Sequence, residues 1–350
     1  METKSDYDVI VIGDGITANS FLLEYSKYAT GQKVLQIHEP LLAPPTSMSS
    51  TATITLQGVK KGVGALGDIL MPAYESICDF IEKEAPDGVT TGLQYHLDKP
   101  DGPTYIDLKR RYSVLEEVTK ITDELRLIEP CYGKVNKMYF IAPSIYLKWF
   151  RDKVSSQKRM NLTKRLEFVV GLDEKNGICQ IELKTGEVIS ADKIFYAGGV
   201  YSSLLNFFRP ESTARIRPGQ FIEFVGVNWG SDSFCLSYLN YNLIYRSIDN
   251  RLLIGATNHH DGAFLGHEKE LWGLVEEFEK LIGVENLKSN YSWKVVGGLR
   301  MKRRKRIPMW GKAPDFNNIY TTLGLYKNGF SLSQLAAVEL TKEFIGKDHL

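Results

Sequence analysis

The chain has 350 residues, 43 of them basic and 42 acidic, for a formal net charge of +1. That balance excludes a global pull toward nucleic acid or membrane, so any such pull must come from local clustering. The apolar fraction of 43% suits a globular protein of one large domain or two closely joined ones.

From the N-terminus, Met1 to Asp6 is polar and has no signal-peptide core behind it, and the apolar run Val9 to Ile12 is too short to span a bilayer. The four cysteines, at 78, 131, 179 and 235, form no C-x-x-C and read neither as a disulfide framework nor as a zinc site. A cytoplasmic protein without a membrane span is therefore expected. Residues 7–12 are a β-branched run that reads as a buried parallel strand. Residues 16–29 read as a helix ended by Gly31, and 33–39 as a second strand ending on Glu39. A loop rich in Pro, Ser and Thr follows to Thr55. Apolar spacing predicts helices near 66–85 and 114–127, and another over 144–160 with Ser144 as its cap. Residues 166–196 read as short strands turning at Asn176-Gly177 and Thr185-Gly186, and 215–257 as strands turning at Asp249-Asn250. An amphipathic helix over 267–282, a turn over 324–329 and a last helix over 330–345 complete the chain. The pattern is α/β with a mostly antiparallel second region.

Gly13-Asp14-Gly15-Ile16-Thr17-Ala18 fits G-x-G-x-x-[GA] in the required setting, straight after a strand and straight into a helix. Gly13 permits the tight turn, Gly15 lets a pyrophosphate approach the backbone, and Ala18 is small enough for the helix to pack on the sheet. The free N–H groups and positive end of the helix, at Ile16 and Thr17, favour phosphate. Glu39 stands where a carboxylate accepts hydrogen bonds from ribose hydroxyls, and it disfavours a 2′-phosphate. Asp14 is out of place beside phosphates unless its side chain turns away.

Four further segments narrow the cofactor. These are 191–203 (Ala-Asp-Lys-Ile-Phe-Tyr-Ala-Gly-Gly-Val-Tyr-Ser-Ser), Arg217-Pro218-Gly219-Gln220, 251–257 (Arg-Leu-Leu-Ile-Gly-Ala-Thr), and Gly298-Leu299-Arg300 with 307–311 and 324–330. In order and spacing they resemble the D-amino-acid oxidase-like FAD family, particularly glycine oxidase and its relatives. The resemblance implies a two-dinucleotide-binding, Rossmann-like FAD domain (1–75, 140–210 and 300–350) and an antiparallel-sheet substrate domain (76–139 and 211–299). It implies non-covalent FAD. Ser49, Ser50 and Thr51 replace the family's small residues in the loop past the flavin, Val169 or Val170 touches adenine, and Ala197, Gly198 and Gly199 line the cofactor.

Flavin-dependent amine oxidation needs positioning and electrostatics more than acid–base groups. By resemblance, Arg300 pairs bidentately with a substrate carboxylate. Lys327 aligns with a second arginine and binds the same carboxylate or stabilises reduced flavin. Asn328, Gly329 and Phe330 open the last helix toward the flavin carbonyl that gains charge. The family's active-site tyrosine falls near Leu243, so Tyr241 and Tyr245 are the candidates to line the pocket, with core packing as the alternative. His259-His260 lacks a third ligand and reads as no metal site.

Lys302-Arg303-Arg304-Lys305-Arg306 is the densest charge cluster in the sequence. It is either a solvated loop or a platform for phosphates. The expected function is oxidation of the C–N bond of glycine, an N-substituted glycine or a D-amino acid. The alternatives are the same chemistry on a carboxymethylaminomethyl wobble uridine of tRNA, bound through this run, or a non-catalytic flavoprotein. The tRNA reading follows from a likeness to the FAD domain of the bifunctional enzyme that modifies that base, whose closing segment resembles Ile307-Pro308-Met309-Trp310-Gly311.

Overall fold

A strand buried on both faces needs parallel neighbours on both sides. β1 (Tyr7–Ile12) has them: it pairs in parallel with β2 (Lys33–His38) and with β10 (Val188–Tyr196). Its unbroken β-branched run follows from that position, because neither face meets water. The computed structural model describes residues 5–39, 45–56, 64–200, 215–257 and 267–346. Beyond β2 the sheet ends in β7 (Asn161–Leu166); beyond β10 lie β17 (Ile319–Leu323) and β16 (Met309–Lys312). The hairpin of β8 (Val169–Lys175) and β9 (Ile178–Leu183) joins β10 antiparallel, turning at Asn176-Gly177 as expected.

Alternation along β1 divides the core. Val9 and Val11 face α1 (Ile16–Tyr25), α4 (Pro143–Ser155) and α7 (Gly329–Ile345), where Phe21, Leu22, Phe150 and Phe344 pack. Ile10 and Ile12 face the opposite side, with Ile181 and Leu183 of the hairpin. Ala18 is fully buried on α1, as its small size requires. α2 (Ala65–Glu84) lies against the same helices: Leu70 and Ala73 meet Leu332, while Phe80 stacks on Phe150.

The second sheet runs β15 (Ser292–Lys302), β11 (Arg215–Val225), β14 (Arg251–Gly255), β13 (Tyr241–Arg246), β12 (Ser233–Tyr238), β4 (Val89–Asp98), β6 (Arg126–Ile141), β3 (Thr53–Ile54), with β5 (Glu116–Lys120) on β6. Among the described pairings only β12 with β4 is parallel. α5 (Glu268–Ile282) covers one face through Leu271, Val275 and Phe278, against Phe224, Leu243, Tyr245 and Ile254. The opposite face looks toward the first sheet.

The expected helix over 114–127 does not form. α3 (Tyr105–Arg111) precedes it, and the segment itself is β5 and a tight turn in which Ile121 N–H bonds the Leu125 carbonyl. Val118, Ile121 and Leu125 are apolar at helical spacing, yet the turn buries all three beneath the second sheet. Strand pairing with β6 overrides the local period. α4 starts at Pro143 with Ala142 at its cap, so Ser144 sits inside the first turn and does not cap it. α1 ends at Tyr25, earlier than the expected Ala29. α2 is continuous through residue 75 and β15 through residue 299, so both elements cross the expected domain limits. Among the described residues no helix is long and apolar enough to cross a membrane.

Candidate active site

The glycine turn sits where the ends of β1, β2 and β10 converge. Gly13 N–H bonds the Ile37 carbonyl at 2.8 Å, and Ala197 N–H bonds the Ile12 carbonyl at 2.8 Å. Gly13 has φ +121°, and a Cβ there would stand 2.7 Å from the Ala197 carbonyl oxygen. Only glycine fits. Gly15 caps α1, and the Ser47 hydroxyl accepts the Ile16 N–H at 3.2 Å. A cavity opens above this turn. Gly13, Gly15, Ile16, Thr17, Glu39, Ala197, Gly198, Gly199, Arg300 and Gly329 line it as expected.

Asp14 is accommodated by pairing. Arg151 of α4 reaches its carboxylate at 2.6 Å, His38 lies at 3.4 Å, and Asn19 donates to it at 3.1 Å. The acid is thus neutralised beside the phosphate cradle. Arg151 itself lines the cavity, with a buried Nε that has no hydrogen-bond partner among the described residues. The sequence carried no signal for Arg151, because it arrives from a helix remote in the chain.

Glu39 is buried, and that burial raises its pKa even though the Val169 N–H bonds it. Its Oε1 is buried without a hydrogen-bond partner among the described residues. Ribose hydroxyls are donors of the kind that satisfy such an oxygen. Val169 is buried and its N–H bonds Glu39, whereas Val170 is 48% exposed; neither valine lines the two cavities.

A second cavity of about 890 Å³ shares Ile16, Thr46, Ser47, Arg300, Tyr326 and Gly329 with the first. Ser49, Ser50, Thr51, Lys327 and Phe330 line it, and Asn328 stands just outside as the cap of α7. β15 delivers Arg300 opposite Arg217 of β11. Its guanidinium passes through the space a side chain at Gly219 would fill, since a Cβ there would lie 1.5 Å from Nη2. Arg300 Nη2 donates to the carbonyls of Pro218 (3.2 Å) and Thr257 (3.0 Å), and the guanidinium lies 5.7 Å from the centre of the Tyr326 ring. Burial lowers the Arg300 pKa. Burial, then Arg300, Arg306 and Lys302, bring Lys327 down to about 8. No carboxylate pairs with Arg300 or Lys327 among the described residues, and none lines the second cavity.

The two expected tyrosines are elsewhere. Tyr245 is fully buried, donates to the Gly230 carbonyl at 2.9 Å, accepts the Trp229 N–H at 3.1 Å and packs on Phe234. Tyr241 turns toward Glu270 of α5. Both share the α5 face of β13 with Leu243, so alternation puts Asn242 on the cavity face. Asn240 and Asn242 thus stand where an aromatic was expected.

In the basic run Arg304, Lys305 and Arg306 are exposed in a tight turn with Lys305 at φ +53° and Arg306 at φ +61°, while Lys302 and Arg303 are half-buried. No cluster of His, Cys, Asp and Glu able to hold a metal occurs among the described residues; His259 and His260 lie outside them.

A model of the FAD-dependent oxidoreductase family matches residues 8–343. The chain belongs to that family. This flavoenzyme is similar in structure to a glycine oxidase from Geobacillus kaustophilus, at 17% identity with a TM-score of 0.76, covering 97% of this chain and 95% of that one. An iminodiacetate oxidase from Chelativorans sp. BNC1 is similar at 15% identity and TM-score 0.74, with coverage of 97% and 95%. So is an L-α-glycerophosphate oxidase from Mycoplasma pneumoniae with FAD bound, at 12% identity and TM-score 0.76, with coverage of 97% and 95%. No curated protein matches the sequence. The glycine turn, the orphaned Glu39 oxygen and the start of α7 fit FAD, and they name the residues that would hold it.

Proposed function

We propose that this oxidoreductase oxidises the C–N bond of a small carboxylated amine: glycine, an N-substituted glycine or a D-amino acid. Similar structures include oxidases of amines and of an alcohol, so the fold alone does not choose. The observation that carries the choice is Arg300, a half-buried guanidinium with no acidic partner among the described residues, opening on a cavity without carboxylates. A fork of N–H donors of this kind matches a substrate carboxylate. FAD supplies the two-electron acceptor when bound. Arg300 fixes the carboxylate and so orients the α C–H, the walls around Ser49 to Thr51 confine it, and water hydrolyses the released imine to carbonyl and amine. The first sheet and its helices hold the cofactor, and the second sheet covers the substrate side. The buried free cysteines fit a reducing, cytoplasmic setting.

Anaerobic mixing of the FAD-loaded protein with amino acids and N-alkyl glycines should bleach the flavin with at least one of them. Failure of the whole panel, with bleaching by a hydroxy acid instead, would overturn the reading. A second reading keeps the chemistry on tRNA. The exposed Arg304, Lys305 and Arg306, the last of them near enough to Lys327 to lower its pKa, favour it, and salt-sensitive tRNA binding in the same panel would support it.

Lys327 makes the site pH-dependent. A base whose pKa is lowered to about 8 is a cation below that pH and neutral above it. Binding of an unreactive carboxylate such as acetate should therefore weaken as pH rises through 8, and Lys327→Arg should remove that inflection. Titration calorimetry from pH 6.5 to 9.5 reads both.

A further inference from the structure

The second sheet carries a directed chain of hydrogen bonds that ends at the substrate cavity. Thr55 Oγ1 donates to Gln94 Oε1 at 2.9 Å, Gln94 Nε2 donates to Ser237 Oγ at 2.9 Å, and Ser237 Oγ donates to Asn242 Oδ1 at 2.7 Å. The Cys235 thiol reaches the same Oδ1 at 3.8 Å. Gln94 and Ser237 are buried. Ser237 Oγ accepts from Gln94 and turns its own proton to Oδ1; a flipped carboxamide would leave that hydroxyl proton with no better acceptor than the Cys235 sulfur. Its Nδ2 is left as a pair of donors without an acceptor among the described residues, on a side chain that lines the cavity. The relay spans β4, β12 and β13 and serves no pairing need of the sheet, whose backbone ladder is complete along that register.

Arg300 and Lys327 supply donors from another part of the lining, and no acid lines the cavity. A substrate that satisfies this lining needs acceptor oxygens in two places. We propose that Asn242 is a specificity residue, held by Ser237 as its positioning residue. The substrate is then an amine bearing a second carboxylate or carbonyl oxygen besides the carboxylate on Arg300. This rests on the carboxylated-amine reading and narrows it. Glycine itself leaves the half-buried Asn242 donors unmatched, and a donor that ligand binding cuts off from water without an acceptor costs affinity.

The test uses three unreactive ligands of equal chain length, butyrate, succinamate and succinate, titrated calorimetrically into the FAD-loaded protein. Succinamate and succinate should bind about tenfold or more tightly than butyrate, the effect of one hydrogen bond to a desolvated acceptor. Preference for succinate over succinamate identifies the second group as a carboxylate; near-equality identifies a carbonyl. Asn242→Asp, which keeps the shape, removes both donors and adds a negative charge, should bring the succinate ratio below one and the succinamate ratio to within about twofold. Ser237→Ala should lower it and Ser237→Thr restore it, a pattern that a purely structural role would not produce. Equal binding of all three ligands to the unaltered protein, or an unchanged ratio in Asn242→Asp and Ser237→Ala, overturns the role of Asn242 and leaves Arg300 standing. Absence of binding by all three overturns the carboxylate site itself.

Discussion

Replacing Arg300 with Met should lower kcat/KM for the amine that bleaches the flavin by about 10³-fold, mostly through KM. Truncating one partner of a buried, hydrogen-bonded charge pair costs about 2–5 kcal/mol, and 10³-fold is about 4. The loss is large because the substrate carboxylate would enter a cavity with no other fork-shaped donor, leaving Lys327 as the nearer cation in the lining. Met keeps the aliphatic stem and removes only the guanidinium that fills the space over Gly219. Arg300→Lys should recover part of the loss, since it keeps charge without the planar fork. Steady-state kinetics measure the effect, and FAD affinity followed by flavin fluorescence checks that the cofactor stays bound. Unaltered kinetics would remove Arg300 from the site.

The second large effect is on stability. Arg246 is 2% exposed, holds Asp249 through two bonds of 3.1 and 2.8 Å, approaches Glu223 at 3.8 Å and donates to the Ile141 carbonyl at 2.9 Å. Glu223 is also held by Arg251 (2.8 Å) and Lys294 (3.0 Å). Arg246→Ala removes the central cation and leaves two acids and a carbonyl around a void. Breaking a buried ionic network from one side costs about 3–5 kcal/mol; with Arg251 still in contact with both acids, about 3 is expected. Urea denaturation should show a lower midpoint at unchanged slope. A shift under about 0.5 kcal/mol, the scatter of surface substitutions, would mean the network is solvated and the burial unimportant.

Legibility in the sequence followed the range of the forces involved. The glycine turn with Glu39 was readable because its determinants lie within one β-α-β unit, and the structure puts Gly13, Gly15 and Glu39 around one cavity. Arg300 was readable through its motif. The segment around Val118 misled because a turn and a helix bury the same spacing, and only the partner strand β6 decides between them. Tyr241 and Tyr245 were placed on the wrong face because a strand alternates at every residue, so an alignment uncertain by one position inverts the assignment. Asn242 was hidden for the same reason. Arg151 answered the oddity of Asp14, but only packing of α4 on α1 brings them together.

The same alternation governs how this enzyme tolerates change in length. Arg300 reaches the cavity because β15 pairs with β11 along eleven successive residue pairs, from Ser292 opposite Val225 to Lys302 opposite Arg215. Adding or removing one residue within that strand, ahead of Arg300, forces a choice between a bulge and a slip of the ladder. A slip by one pair turns Arg300 to the opposite face and brings Leu299 or Met301 to the cavity in its place. The turn at 303–306 lies beyond Arg300, so a loop graft there leaves the ladder untouched, and diversity in this enzyme has room to accumulate on that side of the strand.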